Sequence, residues 1–219
     1  MEGANRRAAP SGPINELVRE AAAISVALSD SAITRFQIYI DTLLLWRKRL
    51  SLTTAASAEE IVRSHILDSL TLCRFVLPGM RVADLGSGAG FPGIPLAIAG
   101  DQARVSLVES RRRKANFLRE VVRSAELANA EVIEERAERL ADHVTEPWDV
   151  VVSRAVWRLS DFLKVSEHLL ARGGVAVAMK GPRASTERPL YRGALVPSDV
   201  VEYRLQSGAH RQLIVYRKP

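Results

Sequence analysis

The spacing of apolar residues over the first third of the chain is helical. One apolar set falls three or four positions apart, as one face of a helix requires: Ile33, Phe36, Ile40, Leu43 and Leu44. Further on, Ser57 followed by Glu60 forms a capping-box pattern, which predicts the start of another helix. We therefore expect a helical N-terminal region over 14–78, preceded by a loose polar tail over 1–13.

After Pro78 the chain alternates short apolar runs with helical segments. Seven runs predict strands: Arg81–Leu85, Val105–Val108, Glu131–Ile133, Asp149–Val152, Val175–Met179, Val200–Leu205 and Leu213–Tyr216. A helix is expected over Phe162–Leu170, and a turn over Ser207–His210 makes the last two strands a hairpin. Residues 79–219 should thus form an α/β domain with a mostly parallel seven-stranded sheet and a C-terminal antiparallel hairpin. Rossmann-like methyltransferases have this arrangement.

The composition is that of a globular protein, and the charge favours an anionic partner. The 219 residues are 47% hydrophobic and 26% charged, which argues against wholesale disorder. Lys and Arg total 31 against 25 Asp and Glu, and the net charge of +6 suits a polyanion. The single cysteine, Cys73, excludes an intramolecular disulfide and is expected in the core. Without a signal peptide or an apolar run of the roughly 18–20 residues that span a membrane, the protein should be cytoplasmic.

A glycine-rich loop follows the first predicted strand. Its small residues are Gly86, Ser87, Gly88 and Gly90, which allow a tight turn and a close approach to a ligand. Because Gly88-x-Gly90-x-x-Gly93 matches the dinucleotide fingerprint, an NAD-dependent oxidoreductase is one hypothesis. Asp84 favours another, since a carboxylate there repels a pyrophosphate and attracts the ammonium group of S-adenosylmethionine. A glycine-rich turn without any ligand is a third interpretation.

Two further strand ends offer groups for a nucleoside. Glu109 ends the second strand 25 residues after Asp84, near the spacing at which such an acid binds the ribose hydroxyls. Asp101 precedes that strand and is the weaker candidate. After the third strand, the backbone amides of Ala137 and Glu138 could bind the edge of an adenine ring, although this segment also suits an ordinary loop.

Four motifs together resemble one family. They are Ser64-His65-Ile66-Leu67-Asp68-Ser69, the Asp84–Pro95 loop, Ser153-Arg154-Ala155 and Met179-Lys180-Gly181. In this order, and over about 28–219, they are similar to the GidB/RsmG family of bacterial 16S ribosomal RNA methyltransferases. The resemblance implies a class I S-adenosylmethionine-dependent fold, methyl transfer to N7 of the guanine at position 527 in the 530 loop, and no metal. It also implies cofactor contacts at Gly86, Phe91, Ala137, Glu138 and Arg154.

The sequence departs from the family pattern in two places. Trp46–Thr53 is similar to the family's Trp-Asn-Lys-x-x-Asn-Leu-Thr, but Arg47 and Ser51 replace the two asparagines. Any role of those amides therefore cannot be carried over. Phe91 stands where leucine is usual, which is an exchange of one apolar residue for another.

The residues also bear on the chemistry of the acceptor. N7 of guanine has an unshared electron pair, so its attack on a sulfonium methyl needs alignment and exclusion of water but no strong base. The Asp/Asn-Pro-Pro-Tyr/Phe run typical of amino-group methylation is replaced by Ser153-Arg154-Ala155-Val156. Methylation of pyrimidine carbon-5 needs a cysteine nucleophile, which Cys73 does not suit. These absences favour a ring nitrogen.

Four residues are candidates for catalysis. Arg154 and Lys180 follow the fourth and fifth strands, at the edge where open α/β sheets bind ligands, and are expected to hold the cofactor or RNA. Either could instead be an ordinary surface cation. His65 and Asp68 share a helix face and are expected to pair with each other over the cleft, or to be a structural pair. The remaining histidines show no metal-binding pattern.

Basic residues cluster in three places. These are Arg47-Lys48-Arg49, Arg111-Arg112-Arg113-Lys114 with Arg119 and Arg123, and Arg183 with Arg188 and Arg192. They favour contacts with RNA phosphates, although each could be a solvated face. The expected partner is 16S ribosomal RNA or the small ribosomal subunit, bound by a monomer, and a loop over 181–197 would order on it. A non-catalytic RNA-binding module is the remaining alternative.

Overall fold

The computed structural model describes residues 12–100, 102–154, 157–181 and 191–219. Within them the chain forms a seven-stranded sheet of β1 Arg81–Leu85, β2 Arg104–Val108, β3 Ala130–Ile133, β4 Trp148–Arg154, β5 Leu170–Lys180, β6 Val196–Arg204 and β7 His210–Arg217. The strand order is β3-β2-β1-β4-β5-β7-β6. Strands β1 to β5 are parallel, and β7 runs antiparallel between β5 and β6. The predicted α/β sheet with a terminal hairpin is confirmed.

The helices of the described ranges are α1 Pro13–Ala23, α2 Asp30–Leu50, α3 Ala58–Ile61, α4 Leu67–Leu70, α5 Gly93–Ala99, α6 Arg112–Ser124, α7 Ala137–His143 and α8 Leu159–Leu169. A π-helical turn, Val62–Ile66, joins α3 to α4, and a 3-10 helix, Thr71–Phe75, follows α4. No helix in these ranges is both long and apolar enough to cross a membrane.

Alternation along the strands divides the interior into two clusters. In β1, Val82 belongs to one cluster, whereas Ala83 and Leu85 belong to the other. Successive side chains of a strand point to opposite faces, so each face needs its own cover. Helices α1, α2, α5 and α6 contribute to the first cluster, and α7 and α8 contribute to the second. The N-terminal helices therefore share a core with one face of the sheet.

The predicted helical patterns of the N-terminal region are confirmed. In α2, Phe36, Ile40 and Leu43 are fully buried. The Ser57 hydroxyl accepts a hydrogen bond from the Glu60 amide at 3.2 Å. The Glu60 carboxylate reaches back to the Ala56 amide at 2.7 Å, one residue before the partner of a standard capping box. Cys73 is partly buried against the first cluster, as expected.

Two element ends near the site differ from the prediction. Strand β4 continues through Ser153 and Arg154, which the sequence placed after it. Leu170 pairs with Trp148 and so belongs to β5 rather than to the preceding helix. Both differences arise because pairing with a neighbouring strand, which local pattern does not reveal, fixes where a strand begins and ends.

Three other boundaries also change. Helix α1 begins at Pro13, which the sequence assigned to the tail, because a proline suits the first turn of a helix where its missing amide has no partner. Val196 and Pro197 pair with β7, so the expected loop over 181–197 ends earlier. His210 pairs with Arg204 and belongs to β7 rather than to the turn. Residues 1–11 and 182–190 lie outside the described ranges.

Candidate functional site

A cavity of about 550 Å³ opens at the carboxyl ends of β1, β2 and β4. Ligands bind at this edge in open α/β sheets. The cavity brings together most of the predicted cofactor residues, namely Gly86, Ser87, Gly88, Phe91, Glu109, Ala137, Glu138 and Arg154. Asp84 and Gly90 do not line it, and Asp101 lies outside the described residues.

Gly88 gives the loop after β1 a bare surface toward the cavity. Its φ is +56°, and a Cβ there would meet no atom closer than 3.7 Å. At Gly90 a Cβ would lie 2.6 Å from the Ile94 side chain and 3.2 Å from the Tyr39 hydroxyl. Gly88 therefore leaves room for a ligand, whereas Gly90 is required by packing beneath the loop.

The structure does not bring Asp84 to the cavity wall. Its side chain is fully buried, and Oδ2 accepts a hydrogen bond from the Gly93 amide at 3.0 Å. Desolvation raises the pKa of Asp84 to about 7, while the bond from Gly93 opposes the shift. Alternation along β1 explains this placement, since Asp84 shares a face with Val82. Asp84 fixes the entry into α5, and its Oδ1 is buried without a hydrogen-bond partner in the described residues.

Glu109 lies at the cavity with its carboxylate fixed by the backbone. Oε2 accepts from the Gly88 amide at 3.0 Å, and Oε1 accepts from the Arg111 amide at 2.8 Å. Each oxygen keeps a further lone pair for another donor. Ala137 and Glu138 begin α7 across the same cavity, where helix geometry leaves the first amides without intrahelical partners.

Arg154 links the cavity to the N-terminal helices. Its guanidinium carbon lies 5.0 Å from the centre of the Phe91 ring. Nη2 donates to Nδ1 of His65 at 2.7 Å, and Nη1 donates to Oδ2 of Asp68 at 3.4 Å. The side chain is 19% exposed. His65 and Asp68 thus both bond Arg154, which lies between them, and the expected direct pairing of the two does not occur in the described structure.

His65 is held as a neutral hydrogen-bond acceptor. Nδ1 lies 2.7 Å from Nη2 of Arg154 and 2.9 Å from the Ser64 carbonyl oxygen, and because a guanidinium only donates, the bond with Arg154 needs an unprotonated Nδ1. Nε2 is 2.8 Å from the Thr53 hydroxyl, and in that tautomer it carries the ring's one N–H. Burial, followed by the nearby charge of Arg154, lowers the pKa of His65 to about 4. The centre of the His65 ring lies 4.8 Å from that of Phe91, with the two planes tilted by 42°, but His65 does not line the cavity.

Asp68 joins three parts of the chain beneath the cavity. Tyr203 of β6 donates its hydroxyl proton to Oδ1, and Nε of Arg211 in β7 lies 3.8 Å from Oδ2. Burial raises the pKa of Asp68, while Arg154, the Tyr203 hydrogen bond and Arg211 lower it. The side chain is 3% exposed and does not line the cavity.

Lys180 also lies behind the cavity wall. It ends β5, and its ammonium group donates to the Trp157 carbonyl at 2.6 Å. Trp157 itself lines the cavity, and its indole N–H is buried without a partner in the described residues. Lys180 therefore bonds a residue of the cavity wall and does not itself line the cavity.

Sequence reasoning missed several residues of the site. Leu52 and Trp157 line the cavity, and Thr53 orients His65. Tyr39 donates to the Ala89 carbonyl at 2.8 Å and so supports the loop from α2. Only Tyr39 had a usable signal, since a tyrosine within an apolar helix face needs a partner for its hydroxyl. No group of three histidine, cysteine or acidic residues in the described ranges could hold a metal.

Solved structures define the class of this fold. TrmN from Thermus thermophilus is similar with a TM-score of 0.56 and 17% identity, over 72% of this chain and 53% of that chain. A putative methyltransferase, yhhF from Escherichia coli, matches with a TM-score of 0.54 and 17% identity, over 67% of this chain and 80% of that chain. At these identities the likeness establishes the fold alone. The fold is that of the Rossmann-like methyltransferases.

Sequence comparison then defines the family. Residues 32–214 match the GidB family model, described as rRNA small subunit methyltransferase G. Ribosomal RNA small subunit methyltransferase G of Desulfitobacterium hafniense is 37% identical over 203 residues, 89% of this chain and 84% of that protein. The protein of that name from Xylella fastidiosa is 42% identical over 185 residues, 82% of this chain and 84% of that protein. The chain belongs to this family, as its motifs indicated, and is an rRNA methyltransferase.

These comparisons do not favour the alternatives. A dehydrogenase that uses the same glycines and a non-catalytic RNA-binding module both disagree with membership of a methyltransferase family over residues 32–214. The dinucleotide fingerprint at Gly88-x-Gly90-x-x-Gly93 arises because Gly90 and Gly93 are needed for packing. A Cβ at Gly93 would lie 2.3 Å from Leu107 and 2.8 Å from Oδ2 of Asp84.

Proposed function

We propose that the chain transfers a methyl group from S-adenosylmethionine to N7 of a guanine in the 530 loop of 16S ribosomal RNA. The observation that carries the proposal is the cavity that joins the open surface at Gly88, the Glu109 carboxylate and the Arg154 guanidinium. It lies in a chain of the rRNA small subunit methyltransferase G family.

The chemistry of the cavity fits S-adenosylmethionine. Its volume of about 550 Å³ is within the usual range for small-molecule sites. Glu109 is fixed by two backbone amides and can accept both ribose hydroxyls, while the amides of Ala137 and Glu138 suit the adenine edge. Gly86, Ser87 and Gly88 form the floor beneath the methionine part. When bound, the cofactor supplies a methyl group on a positively charged sulfur.

Arg154 orients the donor and the RNA at this site. The Phe91 ring, His65 and Asp68 hold its guanidinium from behind, so its remaining N–H groups are available to a carboxylate or phosphate in the cavity. His65 and Asp68 act through Arg154 and are positioning residues. Lys180 has the same kind of role through Trp157. Asp84 supports the site indirectly by fixing the turn at Gly93, and Gly90 supports it by letting the glycine-rich loop pack against the residues beneath it.

A ring nitrogen suits this site better than an amino group as the acceptor. N7 attacks with an existing electron pair, whereas an amino group must lose a proton and needs a base. Of the three acids that line the cavity, Glu109 is engaged by two amides, Oε2 of Glu135 lies 3.3 Å from Nε2 of His143, and Glu138 is exposed to solvent. His65 already bonds Arg154 and Thr53 and has a pKa lowered to about 4, so it is a poor base near neutral pH.

Transfer of labelled methyl groups tests the proposal. Purified protein is incubated with S-adenosylmethionine carrying a tritiated methyl group and with 16S ribosomal RNA, either free or in small subunits. The RNA is then digested to nucleosides, and we expect the label in 7-methylguanosine. Label in another nucleoside, or none with either substrate, would contradict the proposal.

Two variants connect this activity with the cavity. Glu109→Gln removes the charge that accepts the ribose hydroxyls and should weaken binding of S-adenosylhomocysteine at least tenfold by calorimetry. Asp142→Asn is the matched control, since Asp142 is exposed on α7 and does not line the cavity. Equal affinities of the two variants would argue against this assignment. The cytoplasmic location, the monomeric state and independence from metal remain predictions from the sequence.

A further inference from the structure

Four consecutive cations lie at the start of α6, beside the cavity. Arg111 precedes the helix, and Arg112, Arg113 and Lys114 occupy its first turn. Arg111 and Lys114 line the cavity, while Arg112 and Arg113 are exposed and do not. Within the described part of the chain, none of these four side chains has a carboxylate partner. We call these four residues the basic run.

The other two arginines of α6 are different. Arg119 pairs with Glu134 at 2.7 Å, and Arg123 pairs with Glu120 at 2.7 Å. The sequence placed all six cations in one cluster. Within the described residues, that cluster therefore divides into two groups. The group beside the cavity has no carboxylate partners, and the group farther along the same helix has them.

The electrostatics of the helix do not explain the basic run. Cations at the N-terminus of a helix oppose its dipole, whereas cations at a C-terminus are stabilised by it. Arg47, Lys48 and Arg49 lie in the last turn of α2 and are favoured there. The basic run is at the unfavourable end, and no carboxylate of the described ranges pairs with it. An anion from outside the protein would remove both costs.

We propose that the basic run binds the phosphate backbone of the RNA beside the nucleotide that enters the cavity. This inference rests on the proposed function, because it needs an RNA substrate. The cofactor alone does not account for Arg112 and Arg113, which are exposed and do not line the cavity. An RNA strand carries one phosphate per nucleotide and can contact Lys114 at the wall and the two arginines outside it together.

The salt dependence of RNA binding tests the proposal. Each phosphate contact that a cation makes adds about 0.7 to 0.9 to the slope of log affinity against log salt concentration. Binding of a labelled 16S ribosomal RNA fragment that contains the 530 loop is measured by fluorescence anisotropy across a salt series, with S-adenosylhomocysteine present. For Arg112→Gln/Arg113→Gln we expect the slope to fall by about 1.4 to 1.8, and the affinity at 0.1 M salt to fall roughly tenfold or more.

The matched control is Arg119→Gln/Arg123→Gln, which removes the same charge from the same helix. Its slope should stay within about 0.3 of the wild-type slope, because those arginines already have carboxylate partners. Equal losses in the two double variants would show an effect of net charge alone and would overturn the proposal. An unchanged slope in Arg112→Gln/Arg113→Gln would also overturn it.

Two further measurements distinguish RNA binding by the basic run from cofactor binding and from the proposed methyltransferase activity. Calorimetry with S-adenosylhomocysteine should give the same affinity for both double variants and the wild type, and a loss in Arg112→Gln/Arg113→Gln would instead place those arginines at the cofactor. Methyl transfer by the wild type is measured first. If the wild type methylates 16S ribosomal RNA and the variants bind RNA with wild-type affinity, the proposed role of the basic run is wrong while the proposed function stands.

Discussion

Asp84 and His65 have unusual ionisation because burial acts on them in opposite directions. Desolvation disfavours the charged form of each group, so it raises the pKa of Asp84 to about 7 and lowers the pKa of His65 to about 4. Near neutral pH, His65 is therefore neutral, and Asp84 is close to its midpoint. The neutral His65 ring can accept a hydrogen bond from Arg154. The partial ionisation of Asp84 makes the free energy of unfolding depend on pH.

Asp84→Asn should change that pH dependence. The folded state keeps a proton on Asp84 up to about pH 7, whereas the unfolded chain releases it near pH 4, so this group's contribution to stability falls as the pH rises between them. The free energy of unfolding of the variant, relative to wild type, should therefore increase by about 2–3 kcal/mol from pH 5 to pH 8. Urea denaturation at both values measures it. A difference that is equal at the two pH values would show that Asp84 titrates normally.

His65 should affect catalysis through its hydrogen bond with Arg154. His65→Ala removes the acceptor and should lower kcat/KM by about 10- to 100-fold, the usual range for a hydrogen bond to a charged group. His65→Asn can place an oxygen near the position of Nδ1 and should recover most of that loss. Methyl-transfer kinetics measure both variants, with thermal melts to verify folding. Equal losses in both would mean that bulk at position 65 matters rather than an acceptor.

Sequence patterns were informative about individual residues where a motif fixes the backbone. Gly88, Glu109 and Ala137 meet at the cavity as expected, since they follow three strands whose carboxyl ends share one edge. Asp84, in contrast, is buried and does not line the cavity, because the sheet face that its side chain takes depends on the register of β1. That register cannot be predicted from the local sequence.

The end of helix α2 and the residues that follow it lead directly to the site. Arg47 donates to the Ala55 carbonyl at 2.8 Å across the bend, Leu52 lines the cavity, and Thr53 bonds His65. Between them, Ser51 ends the helix in the left-handed conformation with φ of 49°. A β-carbon disfavours this conformation, and asparagine tolerates it better than serine. The family pattern has asparagine at this position, and the backbone provides a reason for it.

Ser51→Asn should therefore stabilise the protein. We expect a gain of about 0.5–1 kcal/mol in the free energy of unfolding, because the asparagine side chain suits the left-handed region. Ser51→Ala is the control and should give no gain, since alanine has no such preference. Chemical denaturation compares the three proteins. A gain in the alanine variant equal to that in the asparagine variant would remove the conformational explanation.

Strand and helix types were predictable from alternation and spacing, but their ends were not. Arg81–Leu85 is the predicted β1, whereas β4 reaches Arg154 and β5 begins at Leu170 because the two strands pair with each other there. Pairing partners are distant in sequence, so a local pattern cannot supply those ends. The same reason explains why Tyr39 on α2 could not be assigned to the loop at Ala89.

Across the whole molecule, Asp68 connects the N-terminal helices to the middle strand of the sheet and to the hairpin at one edge. It bonds Arg154 of β4, Tyr203 of β6 and, at 3.8 Å, Arg211 of β7. A buried carboxylate with these partners links the cavity wall to the terminal hairpin. The sequence indicated Asp68 by its motif. Its partners lie on three strands that are distant in sequence, so they could not be inferred.

Tyr203→Phe should weaken this connection. The variant leaves one oxygen of Asp68 without its donor, and we expect a loss of about 1–3 kcal/mol in the free energy of unfolding. Tyr216→Phe is the matched control, because Tyr216 lies on the same hairpin, is buried where Tyr203 is partly buried, and its hydroxyl has no hydrogen-bond partner among the described residues. Its stability should change by less than about 0.5 kcal/mol. Equal losses in the two variants would show that Asp68 does not depend on Tyr203.

The most direct measurement is mass spectrometry of nucleosides from the 16S ribosomal RNA of cells that lack this protein. We predict the loss of one 7-methylguanosine from the 530 loop, its return with the wild-type gene, and a smaller return with Glu109→Gln. Unchanged 7-methylguanosine in cells without the protein would contradict the account.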